Sequence, residues 1–295
     1  MSSNSDAGAA GEPRTERLTI RGIDYAVREW GDRASPPLLL LHGWGDCAAS
    51  WQFTVDAFQR DWRVLAPDWR GFGESGHNAA AYWFPDYLAD LDALLDAFDL
   101  REPVPLVGHS MGGNVAALYA GVCPERVAAL INVEGFGLAD SDPQEAPERY
   151  RRWLDAGRRR REHPGYASLD KLVAKILERS PGIARDRARY VARRWARRGS
   201  DGRWRPKADA AHHWPNAVLY RRAEARACWQ RIRAPVLLVS GSETGFEAQA
   251  ALWRDGDSGY PDARAVTVDG AGHMLHLERP EALAAAIEEF LGARL

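Results

Sequence analysis

Val104-Pro105-Leu106-Val107-Gly108-His109-Ser110-Met111-Gly112-Gly113 carries an apolar run of strand character straight into a Gly-x-Ser-x-Gly step. An alanine-rich stretch with helical spacing, residues 114–121, follows at once. A serine at a strand-to-helix junction of this kind sits on a sharp turn that lifts its hydroxyl clear of the sheet. Gly108 and Gly112 lack the side chains that would hold strand and helix apart there. The N-terminal N–H groups of the following helix point at the same spot, where negative charge on an oxygen would be stabilised. The context marks Ser110 as a candidate nucleophile rather than an incidental serine in a glycine-rich turn.

Working outward, strand-like runs alternate with helical patterns. Residues 18–23 and 24–29 read as an opening antiparallel pair, and 37–41 as a buried strand running into His42-Gly43-Trp44-Gly45. Residues 62–67 form another, ending in Asp68-Trp69-Arg70-Gly71-Phe72-Gly73-Glu74-Ser75. Helical spacing covers 87–98; strands follow at 104–107, 127–133, 235–240 and 263–268, and a closing helix at 280–291. This alternation predicts an α/β fold, a mainly parallel twisted sheet with helices on both faces. Residues 137–229 differ: no strand-like run, and runs such as Arg158-Arg159-Arg160-Arg161 and Arg193-Arg194-Trp195. They read as a helical insertion over the C-terminal edge of the sheet, where open α/β folds bind ligands. The expected division is a disordered tail over 1–16, core over 17–136, a helical cap over 137–230, and core again over 231–295.

Composition narrows the function. The chain has 295 residues, 45% of them hydrophobic, and a formal net charge of -2, which gives no pull toward nucleic acid or anionic membrane. The arginine runs are interleaved with Glu145, Glu148, Asp155, Glu162, Asp170 and Asp186 and read as a solvated helical face. No run approaches the roughly 18 apolar residues of a membrane span. The opening residues have no apolar core and do not read as a secretory signal. Cys47, Cys123 and Cys228 are isolated, with no metal or disulfide pattern, and suit a reducing cytoplasm.

Taken together, these motifs resemble the α/β-hydrolase superfamily over residues 18–291. His42-Gly43-Trp44 is similar to its oxyanion loop, the segment 68–75 to its D-x-R-G-x-G-x-S turn, Gly108-His109-Ser110-Met111-Gly112 to its nucleophile elbow, and Gly270-Ala271-Gly272-His273 to its histidine loop. The resemblance implies Ser110 as nucleophile, His273 as base, and the backbone N–H groups of Trp44 and Met111 as oxyanion donors. Asp68 and Arg70 are taken as structural. His276 is expected to pack or cap the final helix, His77 and His163 fall in polar stretches, and His212 and His213 line the pocket at most. His109 points away from the hydroxyl. The five tryptophans 153, 195, 204, 214 and 229 are expected in the cap, some of them shaping an apolar acyl pocket.

The acid departs from the family's commonest pattern. Gly241-Ser242-Glu243-Thr244 places Thr244 where an aspartate is usual, and threonine carries no charge. Glu134 and Glu243 remain. Glu134 is preferred because a charge closing an apolar run needs a partner, and some relatives carry the acid at the end of that strand. Glu243 is the alternative.

The resulting expectation is a serine hydrolase acting on small carboxylic esters with an apolar acyl part, through an acyl-enzyme and a Ser-His-Glu triad, without metal or organic cofactor. A thioesterase, amidase, lactonase or carbon–carbon-bond hydrolase uses the same triad. A ligand-binding protein on a hydrolase scaffold is the non-enzymatic rival. The sequence carries no sign of oligomeric state.

Overall fold

The structure, a computed structural model, describes residues 11–158 and 163–293. The chain opens with a hairpin of β1 (Arg14–Ile20) and β2 (Ile23–Trp30), then β3 (Pro37–Leu41), α1 (Gln52–Ala57), β4 (Arg63–Pro67), α2 (Phe84–Ala97), β5 (Val104–His109), α3 (Met111–Val122) and β6 (Val127–Val133). Next come α4 (Ala146–Arg158), α5 (Leu169–Arg179), α6 (Arg185–Trp195), the short strands β7 (Ala196–Arg198) and β8 (Trp204–Pro206), and α7 (Arg222–Trp229). The chain closes with β9 (Val236–Gly241), α8 (Glu247–Arg254), β10 (Ala263–Val268), α9 (Leu275–Glu278) and α10 (Pro280–Gly292).

The main sheet has eight strands in the order β1-β2-β4-β3-β5-β6-β9-β10. β2 runs antiparallel to both β1 and β4, and every pair from β4 to β10 is parallel. Because both faces are covered, the central strands are apolar at successive positions rather than at alternate ones. In β3, Leu39 and Leu41 enter one core with Leu91 of α2 and Val115 of α3, while Leu38 and Leu40 enter the other with Val55 of α1 and Ile287 of α10. Each such side chain contributes roughly 1.5–3 kcal/mol over its exposed state, so a slip of register would be costly in both layers at once.

After β3 the chain moves to β4 on one side and then to β5 on the other. Strand order therefore reverses between β3 and β5. Ligand sites of open α/β sheets form in the crevice outside the carboxyl ends of such a pair, and here those ends are His42-Gly43-Trp44 and Ser110.

Three expectations need correction. The tail does not reach residue 16: β1 begins at Arg14, paired across to Glu29. Its outward side chains are polar, so backbone pairing rather than apolar patterning recruits it. Residues 1–10 of that expectation lie outside the described residues. Between β6 and β9 the segment is not purely helical, since β7 and β8 form a two-stranded antiparallel sheet around Gly199–Arg203; arginine-rich strands of three residues have no readable alternation. Its last helix belongs to the core. Ala225 and Trp229 of α7 join the cluster of α3, and Trp229 stacks on Tyr260 at 4.8 Å. Gly121 permits that approach, because a Cβ there would meet the Cys228 carbonyl oxygen at 1.9 Å.

Candidate active site

Ser110 takes φ 51° and ψ -112° between β5 and α3, a conformation costing an ordinary residue on the order of 1–3 kcal/mol. The flanking glycines make it possible. A Cβ on Gly108 would meet the Gly112 carbonyl oxygen at 2.4 Å, and one on Gly112 the Leu41 carbonyl oxygen at 2.2 Å. The Ser110 N–H donates to the Val133 carbonyl at 2.8 Å, tying the turn to the end of β6.

His273 stands on the loop after β10. Its Nε2 lies 3.1 Å from Ser110 Oγ, and its Nδ1 lies 3.0 Å from Glu134 Oε2. The tautomer with its hydrogen on Nδ1, directed at the Glu134 oxygen, leaves Nε2 as the acceptor facing the serine. Glu134 closes β6 with φ 58°. Asn132 pins that turn through bonds to both the N–H and the carbonyl of Gly135. The Glu134 carboxylate is fully buried but well supplied with donors: Gly241 N–H reaches Oε1 at 2.9 Å and Thr244 Oγ1 reaches Oε2 at 2.6 Å. Glu243 is exposed, and its contact with this loop is through its backbone N–H to the Ala271 carbonyl. Of the two candidate acids, only Glu134 meets the histidine.

The loop after β3 faces the same point. A Cβ on Gly43 would lie 3.2 Å from Ser110 Cβ, so any side chain there would crowd the serine. His42 fixes the loop: its Nε2 accepts from Trp69 N–H at 2.9 Å, and its carbonyl accepts from Trp69 Nε1 at 3.0 Å. Burial holds His42 below the ordinary histidine range, which keeps Nε2 free to accept. Asp68 supports the neighbouring turns by accepting from the Ala48 and Glu74 N–H groups. Arg70 is paired with buried Asp90. The Met111 N–H, first of α3, has no partner within its helix. Trp44 is 46% exposed, not core, and its ring meets His213 edge-on at 5.0 Å.

A second polar group, not foreseen from sequence, lies behind the first. His109 Nε2 donates to the carbonyl oxygen of His273 at 2.8 Å. His276, fully buried, contacts Asp46 Oδ2 through Nε2 at 3.1 Å and packs on Trp51. Burial opposes charge on Asp46, yet the His276 contact and the Ser50 hydroxyl outweigh it and hold the carboxyl below its usual range. Burial, then the neighbouring His276 and His273, push His109 well down. Asp46, His109 and His276 could bring three ligating atoms within 4.8 Å of one another. The Nε2 atoms of both histidines are already committed to hydrogen bonds. Asp46 Oδ1 also accepts from Trp195 Nε1 at 2.7 Å, joining the end of α6 to the loop after β3. The signal for this network was a histidine three residues after His273 and a polar Asp46 inside a hydrophobic surround; neither spacing names a partner.

Next to His273 lies a cavity of about 360 Å³. The loop after β3 contributes Trp44, and the segment between β6 and β9 contributes Leu172, Ile176, Trp195 and His213. His163, expected to be bland, is also in this wall. His212 is stacked between Phe72 and Tyr82 at 3.8 and 3.7 Å, and burial pushes it down to about 3. A larger cavity of about 900 Å³ shares His163, Pro206, Ala208 and His213 with this one but does not reach His273; Ser110 and Glu134 are in the wall of neither. The tryptophans divide: Trp195 lines the smaller cavity, Trp214 the larger, Trp153 neither, Trp204 packs against the α5–α6 cluster, and Trp229 belongs to the core cluster of α3.

The profile of the alpha/beta hydrolase fold matches residues 36–280. This chain belongs to the α/β-hydrolase fold family. A serine hydrolase-like protein of Danio rerio is 26% identical over 287 residues, 93% of this chain and 87% of that one. A putative 2-succinyl-6-hydroxy-2,4-cyclohexadiene-1-carboxylate synthase of Bacillus subtilis is 28% identical over 290 residues, 94% of this chain and 98% of that one. Among solved structures, a thioesterase domain from the curacin biosynthetic pathway superposes with a TM-score of 0.85, covering 95% of this chain and all of that one at 24% identity. Among the described residues no helix is long and apolar enough to cross a membrane.

Proposed function

We propose that the chain is a serine hydrolase of small carboxylic esters, with Ser110 as nucleophile, His273 as base and Glu134 as acid. The observation that carries this reading is the unbroken row Ser110 Oγ, His273 Nε2, His273 Nδ1, Glu134 Oε2, with contacts of 3.1 and 3.0 Å. Oγ attacks the ester carbonyl carbon while its proton passes to Nε2. The carbonyl oxygen becomes an oxyanion, received by the N–H groups of Trp44 and Met111; each such donor is worth about 2.7–4 kcal/mol in the transition state. Nε2 then returns the proton to the departing alcohol, leaving the acyl group on Ser110. Water, deprotonated by the same nitrogen, attacks the acyl carbon and releases the acid and the free serine. Glu134 fixes the tautomer and balances the imidazolium.

The described residues of 137–221 are read as the cap of this site, since Leu172, Ile176, Trp195 and His213 share the cavity wall with Trp44 and His273. The three free cysteines suit a cytoplasmic location. The reading is tested by labelling with a fluorophosphonate and by hydrolysis of p-nitrophenyl esters of graded chain length. Wild-type protein labels and turns over, and Ser110→Ala does neither while remaining folded. A folded Ser110→Ala variant with wild-type turnover would overturn the reading, and a wild-type chain that binds but never labels would favour the non-enzymatic rival. Running matched thioesters and amides in the same screen separates those substrate classes.

A further inference from the structure

We propose that Lys175 and Arg179 on α5 bind an anionic group, a carboxylate or a phosphate, at the far end of the substrate, so that the substrate is an amphipathic acyl compound rather than a wholly apolar ester. This rests on the Ser110 reading for the reaction but not for the binding. The cavity beside His273 is walled by one stripe of α5: Leu172, Lys175, Ile176 and Arg179. That spacing of three and four residues is a single helical face. Leu172 and Ile176 are buried and join the apolar cluster against which Met274 packs, next to His273. Lys175 and Arg179 are exposed, at the rim. From Leu172 to Arg179 the helix rises about 10 Å, which sets the span between the apolar contact and the cation.

The charges in this wall are one-sided. Its one carboxylate, Asp46, already accepts from Cys47 N–H, Ser50 Oγ and Trp195 Nε1 and contacts His276. Lys175 has an exposed pair with Glu178 on its own helix, at 2.8 Å with side chains 47% and 68% exposed, and such pairs exchange readily for a ligand. Arg179 has no carboxylate partner among the described residues. A guanidinium offers a planar fork that matches a carboxylate or phosphate edge. The larger neighbouring cavity is a weaker candidate, because it does not reach His273 and because Asp155 and Asp209 share its wall with Arg197, Arg205 and Lys207, the last two already paired with Asp201 and Glu74.

The test compares p-nitrophenyl octanoate with the mono-p-nitrophenyl ester of suberic acid, which has the same chain length and a terminal carboxylate, and with its terminal phosphonate analogue. The expected result is a kcat/KM preference of about 10-fold for an anionic ester at low salt, shrinking as salt screens the contact. Whichever anion is preferred identifies the group. In Arg179→Glu and Lys175→Glu the preference inverts, chiefly through KM. Binding is read independently on Ser110→Ala, by quenching of Trp44 and Trp195 with suberic acid monomethyl ester against methyl octanoate. A wild-type preference for octanoate, or a preference untouched by charge reversal, overturns the proposal. If Ser110→Ala still hydrolyses ester but binds the anionic ligand more tightly than the neutral one, the catalytic reading fails and the anion site stands.

Discussion

The Thr244 hydroxyl donates to Glu134 Oε2 at 2.6 Å, the same oxygen that faces His273 Nδ1 at 3.0 Å. The residue standing where an aspartate is usual is thus a donor to the glutamate on the neighbouring strand. A carboxylate buried to this depth is costly unless its lone pairs are filled, and the Gly241 N–H fills another. Replacing Thr244 by valine keeps the shape and removes the donor. Turnover should fall about 10-fold with KM unchanged, while Thr244→Ser keeps most activity, because one buried donor is worth on the order of 1–3 kcal/mol. Steady-state kinetics of the two variants, with Tm as a check on folding, decides this.

Glu134→Gln should reduce kcat by roughly 10⁴, since an amide no longer fixes the imidazole tautomer or balances its charge. Glu243 is exposed, so Glu243→Gln should leave kcat within about twofold, as expected for a surface change. The opposite ranking would remove Glu134 from the proposed triad.

The fold was legible because its signals are local. Apolar runs at 37–41 and 127–131 mark strands buried on both faces, and the glycines around Ser110 mark a turn that no side chain could enter. The proposed acid was half legible: Thr244 excluded the usual position, but only the parallel pairing of β6 with β9 brings Glu134, Gly241 and Thr244 together. The Asp46–His276 contact joins residues 230 positions apart, and no periodicity encodes such a meeting. The β7–β8 hairpin was missed because each strand has only three residues, too few for an alternation to show.

His273 and His276 should separate cleanly. His273→Ala removes the proposed base and should cost several orders of magnitude in kcat, as members of one catalytic unit do. His276→Ala removes one of several partners of buried Asp46, and losing a hydrogen bond to a buried carboxylate costs about 1.5–3 kcal/mol. The expected signature is a large drop in Tm for His276→Ala with activity retained at low temperature. A wild-type Tm for His276→Ala would show that the Asp46 contact contributes nothing.

Stability should rise with pH across the weakly acidic range. His212 titrates near 6.5 when unfolded and about 3 in the folded chain, because it is buried. Between those values the unfolded chain holds a proton that the folded chain does not. The contribution is therefore complete above 6.5 and is lost as pH falls toward 3, about 2 kcal/mol of it by pH 5. His42 and His109 are displaced in the same direction by burial. Asp46, held below its usual range, adds stability that is lost only at more acidic pH. Calorimetry from pH 7 to 5 should show a falling Tm, with a shallower slope in His212→Gln; an unchanged slope would exclude His212 as a contributor.

Moving the acid is the most demanding test of the site. Thr244 Oγ1 already sits 2.6 Å from the oxygen that serves His273, so a carboxylate at 244 has that oxygen's place within reach once Glu134 is neutral. In the Glu134→Gln background, Thr244→Asp should restore kcat by at least about 10-fold, a fraction of the roughly 10⁴ lost. Alone, the same Thr244→Asp change should be harmful. Two carboxylates would then share one buried pocket, one would take up a proton at neutral pH, and both Tm and kcat should fall below wild type. The pair of outcomes is non-additive by design, as expected for residues in direct contact. If Thr244→Asp lowers activity equally in both backgrounds, the two positions do not compete for the same face of His273, and Thr244 is only a structural donor to Glu134.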